Sequence, residues 1–272
     1  MRRTIQYLYF SYIPKGAHAE INEWSNPSEV TAEFRRTEAA AALSDREKEK
    51  RGFFYLPRLD YDTGIGVPPL ISKAQFDIQY DFFHRDAVRR LNTHTLGDDL
   101  EGHPLEVVIR KTAFDAARAV IHTAASEHFN YCFWYRSLRP WGTEIPLCIQ
   151  EGLRLQYGCK GAQDPIAEVK RLFTVTALSH RKLCGWIYLV WTGKSFDVVE
   201  FNHGTCPIGS DLIPLMALNL HESALCIDYG AEGVSIDAVE RYVSNFFKTC
   251  NWRVANEYFS IATGESDDQG CC

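Results

Sequence analysis

The sequence predicts an α+β fold with an N-terminal helical extension, a helical hairpin domain, and an α/β domain that contains a three-stranded antiparallel sheet. Apolar residues recur at helical spacing through residues 71–92 and again through about 114–135. Three β-rich runs follow only after residue 183. Because helices and strands are segregated along the chain, two packed layers are expected rather than alternating βαβ units.

The helices of the first half have recognisable ends. In the extension, one helix is predicted from the N-cap Asn26 through a mixed-charge run to Arg51. Ser72 caps the first helix of the hairpin domain, and a second helix starts near Leu105. A third helix ends just before Pro140, because the residue before a proline disfavours helical backbone.

The second half of the chain has a different residue pattern, with β-rich runs between helical segments. "DPIAEVKRLFTVTALSHRKL" is helical, whereas "CGWIYLVWTG" and "SFDVVEFNH" predict a β-hairpin and "LIPLMALNLH" a third strand. A closing helical segment begins after a Ser235 cap. These elements predict an extension with one helix (1–66), a helical hairpin domain (67–140), an α/β domain (141–262) and an acidic tail (263–272).

Composition excludes several classes of protein. The chain of 272 residues has 46% hydrophobic residues and a formal charge of −6, which favours a globular domain over a protein that wraps nucleic acid. Its nine cysteines form no CxxC pair, which favours a reducing compartment. No apolar run approaches the ~20 residues of a membrane span, so no membrane partner is expected.

The two ends of the chain leave alternatives open. "MRRTIQYLYFSYIPKG" is equally typical of a short organelle-import sequence and of an ordinary basic arm. Cys271 and Cys272 predict either a frayed end or a lipidated or redox-active pair.

The stretch "EHFNYCFWYRSLRPWG", residues 127–142, is typical of the wall of a buried site. His128 and Cys132 lie four apart on its helix, a spacing that permits nucleophilic chemistry, but no acid is placed to orient the histidine. His84 is a further candidate donor. His221 is expected to point to the opposite side of a strand, away from the wall. Because these residues make no complete catalytic set, the wall is interpreted mainly as aromatic packing.

Several strings, in order, resemble the iron/manganese superoxide dismutases over roughly residues 66–260. "LEGHPLEVVIR" is similar to the family's "F/L-E-G-x-x-L-E-E-I", and "AASEHFNYCFWYRSLRP" to its "A-A-Q-x-W-N-H-x-F-Y-W-x-x-L-x-P". "CGWIYLV" resembles "S-G-W-x-W-L-V", "LIPLMALNLHESALCIDYG" follows the family's strand-end segment, and "YVSNFFKTCNW" its tail. The resemblance implies the fold of this family.

The resemblance also locates the family's metal ligands, three histidines and one aspartate. Those positions fall here on Gln79, Tyr131, Asn219 and Ser223. The gateway tyrosine falls on Ala87. Neutral oxygen-bearing side chains cannot compensate a buried redox ion, so no metal, no cofactor and no catalytic residue is expected.

Further expectations concern surfaces. A histidine near the family's pocket mouth becomes Phe83, and the family's glutamate that reaches across the dimer is retained as Glu222. Phe83, Glu222, Ser223 and Cys226 are therefore predicted interface residues. Arg85, Arg89 and Arg90 are the predicted RNA contacts if any exist, and the alternative that they form a solvated helix face is favoured.

Metal-free relatives of this family are known in the small subunit of mitochondrial ribosomes. The resemblance therefore implies a non-catalytic ribosomal subunit in the mitochondrial matrix, paired with a second dismutase-like subunit and contacting ribosomal proteins and ribosomal RNA. Two alternatives stay open. One is an active or metal-relocated superoxide dismutase, and the other is a free-standing dismutase-like scaffold.

Overall fold

The computed structural model describes residues 27–158, 161, 164–179, 185–230 and 235–264. The extension contains helices α1 (Pro27–Ala42) and α2 (Asp45–Lys50). The single helix expected there is broken at Ser44, because this residue is a second N-cap. Its side chain accepts a hydrogen bond from the Glu47 amide, and the Glu47 carboxylate accepts one from the Ser44 amide at 3.0 Å. The predicted cap at Asn26 lies outside the described residues.

Helix α3 begins after Ser72, whose side chain accepts a hydrogen bond from the Gln75 amide as the sequence predicted. It continues through three segments: α-helical Lys73–Asp77, π-helical Ile78–His84 and α-helical Arg85–Thr95. The π-helical segment was not predicted. A π-helix joins residues i and i+5 by backbone hydrogen bonds, which changes the side chains that share a face.

Helices α4 (Leu105–Thr112) and α5 (Ala119–Ser137) complete the helical hairpin domain. The third predicted helix starts later than expected, because a short 3₁₀ turn at Ala116–Arg118 is capped by Asp115. Helix α5 is buried along almost its whole length. Phe129, Phe133 and Trp134 are at most 6% exposed, so the aromatic wall is core packing as predicted.

Helices α6 (Leu147–Leu153, extended by π-helical Arg154–Gly158) and α7 (Pro165–Ser179) precede the sheet. Its strands are β1 (Gly185–Trp191), β2 (Phe196–Asn202) and β3 (Ile213–Asn219), in the order β2–β1–β3 with antiparallel neighbours. Helices α8 (Glu222–Leu225), α9 (Ile236–Phe247) and α10 (Trp252–Thr263) follow. The predicted fold class is confirmed.

Strand β1 forms the centre of the core, since six of its seven residues are buried. Trp186 and Tyr188 of β1 contact α5, where the Trp186 ring lies 5.3 Å from that of Tyr131 and the Tyr188 hydroxyl donates to Asn130. The core is thus shared by both predicted domains. Among the described residues, no helix is both long and apolar enough to cross a membrane.

The close approach of β1 and β2 gives a test of this packing. A Cβ atom at Gly185 would overlap the carbonyl oxygen of Phe201 on the paired strand, whereas one at Gly209 would make only ordinary contacts of 3.7–4.0 Å with the side chains of Ala113, His122 and Ile109. We expect Gly185→Ala to lower the free energy of unfolding by about 2 kcal/mol, because the strands must separate locally. Urea denaturation measures this.

Gly209→Ala is the matched control and should shift the urea midpoint far less. Equal effects of the two substitutions would contradict the packing described for β1.

Candidate functional site

The four side chains at the family's ligand positions come together in one buried group, here called the Gln79 cluster: Gln79, Tyr131, Asn219 and Ser223. The Gln79 amide donates to the Ser223 carbonyl at 2.9 Å and to the Ser223 hydroxyl at 3.2 Å. The Asn219 amide donates to Gln79 Oε1 at 3.1 Å, and the Tyr131 hydroxyl lies 3.5 Å from the same oxygen. These side chains therefore satisfy one another.

The Gln79 cluster does not fit an iron or manganese ion. It contains neither an imidazole nor a carboxylate. Its amide N–H groups donate hydrogen bonds to the oxygens that would otherwise have to coordinate the metal. A buried divalent ion requires anionic ligands to offset its desolvation. The assignment of the four positions still depends on the resemblance and stays a prediction.

A second group of polar side chains, here called the His84 cluster, lies beside the first and consists of His84, His128 and Cys132. Their donor atoms all lie within 4.8 Å of one another. His84 Nε2 is 2.7 Å from His128 Nδ1, and Cys132 Sγ is 3.8 Å and 3.6 Å from these two nitrogens. This is the only group of three or more histidine, cysteine or acidic side chains in the described chain that could hold a metal ion.

Two helices position the His84 cluster. His128 and Cys132 lie on one face of α5 because they are four residues apart. His84 ends the π-helical segment of α3, and it lies five residues after Gln79, so the i to i+5 pattern places both on successive turns. The two clusters are in contact, because the Tyr131 ring of the Gln79 cluster stacks on His84 with a centroid distance of 5.0 Å.

Aromatic side chains surround the His84 cluster. The rings of Tyr80, Tyr135 and Phe54 lie 5.7–6.2 Å from one of its two histidines. Phe54 belongs to the extended segment that follows α2, and its amide donates to Asn92 of α3 at 2.8 Å. The N-terminal extension therefore covers the cluster.

Burial sets the protonation of this cluster. It lowers the pKa of His128 to about 4 and that of His84 well below its usual value, so both imidazoles are neutral at pH 7 with a lone pair available. Burial raises the pKa of the Cys132 thiol to about 12, an effect that Arg136 partly opposes. His84 is fully buried, yet its Nδ1 has no hydrogen-bond partner.

A third polar network links the two halves of the core. Arg90 of α3 pairs with Oε2 of Glu127 on α5. The other carboxylate oxygen of Glu127, Oε1, lies 3.5 Å from Nε2 of His203. The ring of His203 lies 4.7 Å from that of His221. His221 does not point away from the site as predicted: strand alternation ends at Asn219, and Nδ1 of His221 accepts from the Ser223 amide at 3.1 Å as the N-cap of α8.

The predicted surface residues are dispersed around these networks. Phe83 lies 6.2 Å from His221, Glu222 is exposed at the start of α8, and Cys226 Sγ approaches the Ser223 carbonyl at 3.4 Å. Their role in an interface stays a prediction.

The arginines predicted to contact RNA are all paired with acids. Arg85 bonds to Asp81, Arg89 to Asp86, and Arg90 to Asp86 and Glu127. These acids offset the positive charge that phosphate binding would use. The RNA contact stays a prediction.

The sequence identified all three residues of the His84 cluster as candidates, but it did not predict that all three lie together. The i, i+4 spacing indicated the His128–Cys132 pair, and the structure confirms that these side chains touch. The contact with His84 spans 44 residues and two helices. No local pattern encodes it.

Residues 160–258 match the family described as iron/manganese superoxide dismutases, C-terminal domain. The chain is 25% identical over 211 residues to a superoxide dismutase (Fe) of Synechococcus elongatus, covering 77% of this chain and 98% of that protein. It is 29% identical over 202 residues to the superoxide dismutase (Fe) of Escherichia coli, covering 73% of this chain and 94% of that protein.

These relatives correct two expectations. The prediction that the chain is not an enzyme is contradicted, because the relatives it matches over most of its length are named superoxide dismutases. The description as a mitochondrial ribosomal pseudoenzyme is wrong for the same reason. The expectation rested on the four substituted positions and gave little weight to His84, His128 and Cys132, which come together beside them.

The matrix location and the protein and RNA partners are not tested by these relatives and stay predictions. What the comparisons and the fold establish together is a chain with the architecture of the iron/manganese superoxide dismutases, matching that family in its C-terminal domain and similar to iron superoxide dismutases over about three quarters of its length.

Proposed function

We propose that this chain is a superoxide dismutase whose redox metal is held by the His84 cluster instead of the Gln79 cluster. The observation that carries the proposal is the convergence of two neutral imidazoles and one thiol beside a family ligand position that cannot bind a metal. The bound metal supplies the one-electron exchange that converts two superoxide ions and two protons into dioxygen and hydrogen peroxide.

The residues of the cluster have distinct tasks. His84 and His128 present neutral imidazoles, the protonation state a metal ligand needs. Cys132 gives up its thiol proton on binding and provides the single negative charge. The surrounding rings of Tyr80 and Tyr135 exclude water, which strengthens electrostatic interactions inside the site.

Arg136 is placed to attract the substrate. It follows Cys132 by four residues on α5, so it lies one turn further along the same face, and its charge partly opposes the rise in pKa that burial imposes on the thiol. The side chain is 47% exposed and pairs with Glu257 at 3.1 Å, so the acid offsets part of its charge. Superoxide is a small anion, and Cys132 is the only member of the cluster that is partly exposed.

Cys132→Ser and His128→Gln test the centre itself. We expect each to bind less than one tenth of the wild-type metal and to lower superoxide turnover roughly 100-fold, because each removes a donor atom. Metal analysis of the purified full chain and the inhibition of cytochrome c reduction by superoxide provide the two readouts.

Cys226→Ser is the control, since Cys226 is also partly buried but lies outside the cluster. Full metal content and turnover in Cys132→Ser would contradict the proposal. So would a wild-type chain that holds metal without turning over superoxide.

Arg136→Gln tests the attraction of the anion. We expect the second-order rate constant to fall about threefold at low salt, the effect of one charge at close range in a watery environment, and the difference to vanish as the Debye length shrinks. Pulse radiolysis over a series of ionic strengths measures it.

Arg154→Gln is the matched control, because Arg154 is a similarly exposed arginine paired with an acid, Glu151, outside the cluster. Equal losses in both variants, or a loss that does not depend on salt, would show that Arg136 has no steering role.

A further inference from the structure

We propose that the His84 cluster selects monovalent copper over iron and manganese, a choice that rests on the metal centre proposed above. The proposal concerns the identity of the ion, and it follows from the donor types, the charge and the geometry of three side chains.

The donor types favour a soft ion. A thiolate sulfur and two imidazole nitrogens are the ligands that copper and zinc prefer, whereas manganese favours carboxylate, carbonyl and water oxygens. The cluster contains one sulfur and no oxygen donor. Of copper and zinc, only copper can change its oxidation state, as dismutation requires.

The charge of the site favours a monovalent ion. One thiolate and one copper(I) ion sum to zero, but one thiolate and a divalent ion leave a buried positive charge. The described chain places no carboxylate in the cluster to offset it. His84 and His128 are at most 4% exposed, and aromatic rings cover them. An uncompensated charge in such surroundings is unfavourable, so the site favours the monovalent state of copper over the divalent state that turnover also requires.

The geometry requires only a small adjustment. The sulfur lies 3.6–3.8 Å from the two facing nitrogens, separations that one ion spans with metal–sulfur and metal–nitrogen bonds of ~2.3 Å and ~2.0 Å. The two nitrogens, at 2.7 Å, now share a hydrogen bond, so the rings must move apart slightly. The reaction balances as Cys–SH + Cu⁺ → Cys–S–Cu + H⁺, with the proton released to solvent.

Anaerobic competition with the copper(I) chelator bicinchoninate tests the choice. Every protein is the full chain with Cys271→Ser and Cys272→Ser, so that the adjacent terminal thiols do not bind copper. We expect one copper(I) ion per chain, bound roughly 100-fold more weakly after Cys132→Ser or His128→Gln and unchanged after Cys226→Ser. Circular dichroism checks that each variant is folded.

X-ray absorption at the copper edge supplies a readout independent of activity. We expect one sulfur and two nitrogen scatterers, with the sulfur absent after Cys132→Ser. Equal copper affinity before and after that substitution would overturn the proposal, because the copper would then lie at other thiols.

The remaining outcomes separate this inference from the proposed function. Tight copper binding without superoxide turnover would leave the metal choice standing and remove the dismutase proposal. Iron or manganese bound by the cluster, together with superoxide turnover, would support the dismutase proposal and overturn the choice of copper. A cluster that binds none of the three metals would overturn both.

Discussion

The burial of helix α5 on nearly all sides is the constraint on which the rest of this structure depends. A helix that is exposed on one face can leave its polar side chains in water, but α5 buries most of them, and burial favours those that find a partner inside the protein; Nε1 of Trp134 and the Tyr135 hydroxyl are exceptions. Glu127 pairs with Arg90, and Asn130 accepts from Tyr188 and donates to the Thr205 carbonyl. The polar residues of α5 thus determine which side chains of α3 and the sheet must face it.

The two clusters are successive consequences of that constraint. Tyr131 faces Gln79, and one turn away His128 faces His84, so the same pair of helices builds the hydrogen-bonded Gln79 cluster and the His84 cluster side by side. The extension completes the arrangement, because Tyr61 donates to the Tyr135 carbonyl and Phe54 packs on His128. Residues 53–61 of the extension therefore help to enclose the His84 cluster in aromatic side chains.

Much of the fold could be predicted because its signals are local. The Ser72 and Ser235 caps, the β-hairpin and the third strand each follow from a few neighbouring residues, and all are present. The π-helical segment Ile78–His84 could not be predicted, since its sequence has an ordinary helical pattern and its geometry arises from packing. The candidate site depends on that segment. The residues of the candidate site could therefore be identified from the sequence, but their contact in space could not be predicted.

The energetics of the His84 cluster favour a functional role over a stabilising one. Two neutral imidazoles and a protonated thiol in an aromatic shell contribute little to stability, and the unpaired Nδ1 of fully buried His84 costs about 1–3 kcal/mol. Apolar side chains of similar volume would pack in the same space without that cost. Burial raises the pKa of the Cys132 thiol to about 12, so the thiol keeps its proton at neutral pH in the metal-free chain. A cation bound at Nε2 of His84, Nδ1 of His128 and the Cys132 sulfur would stabilise the folded chain by mass action.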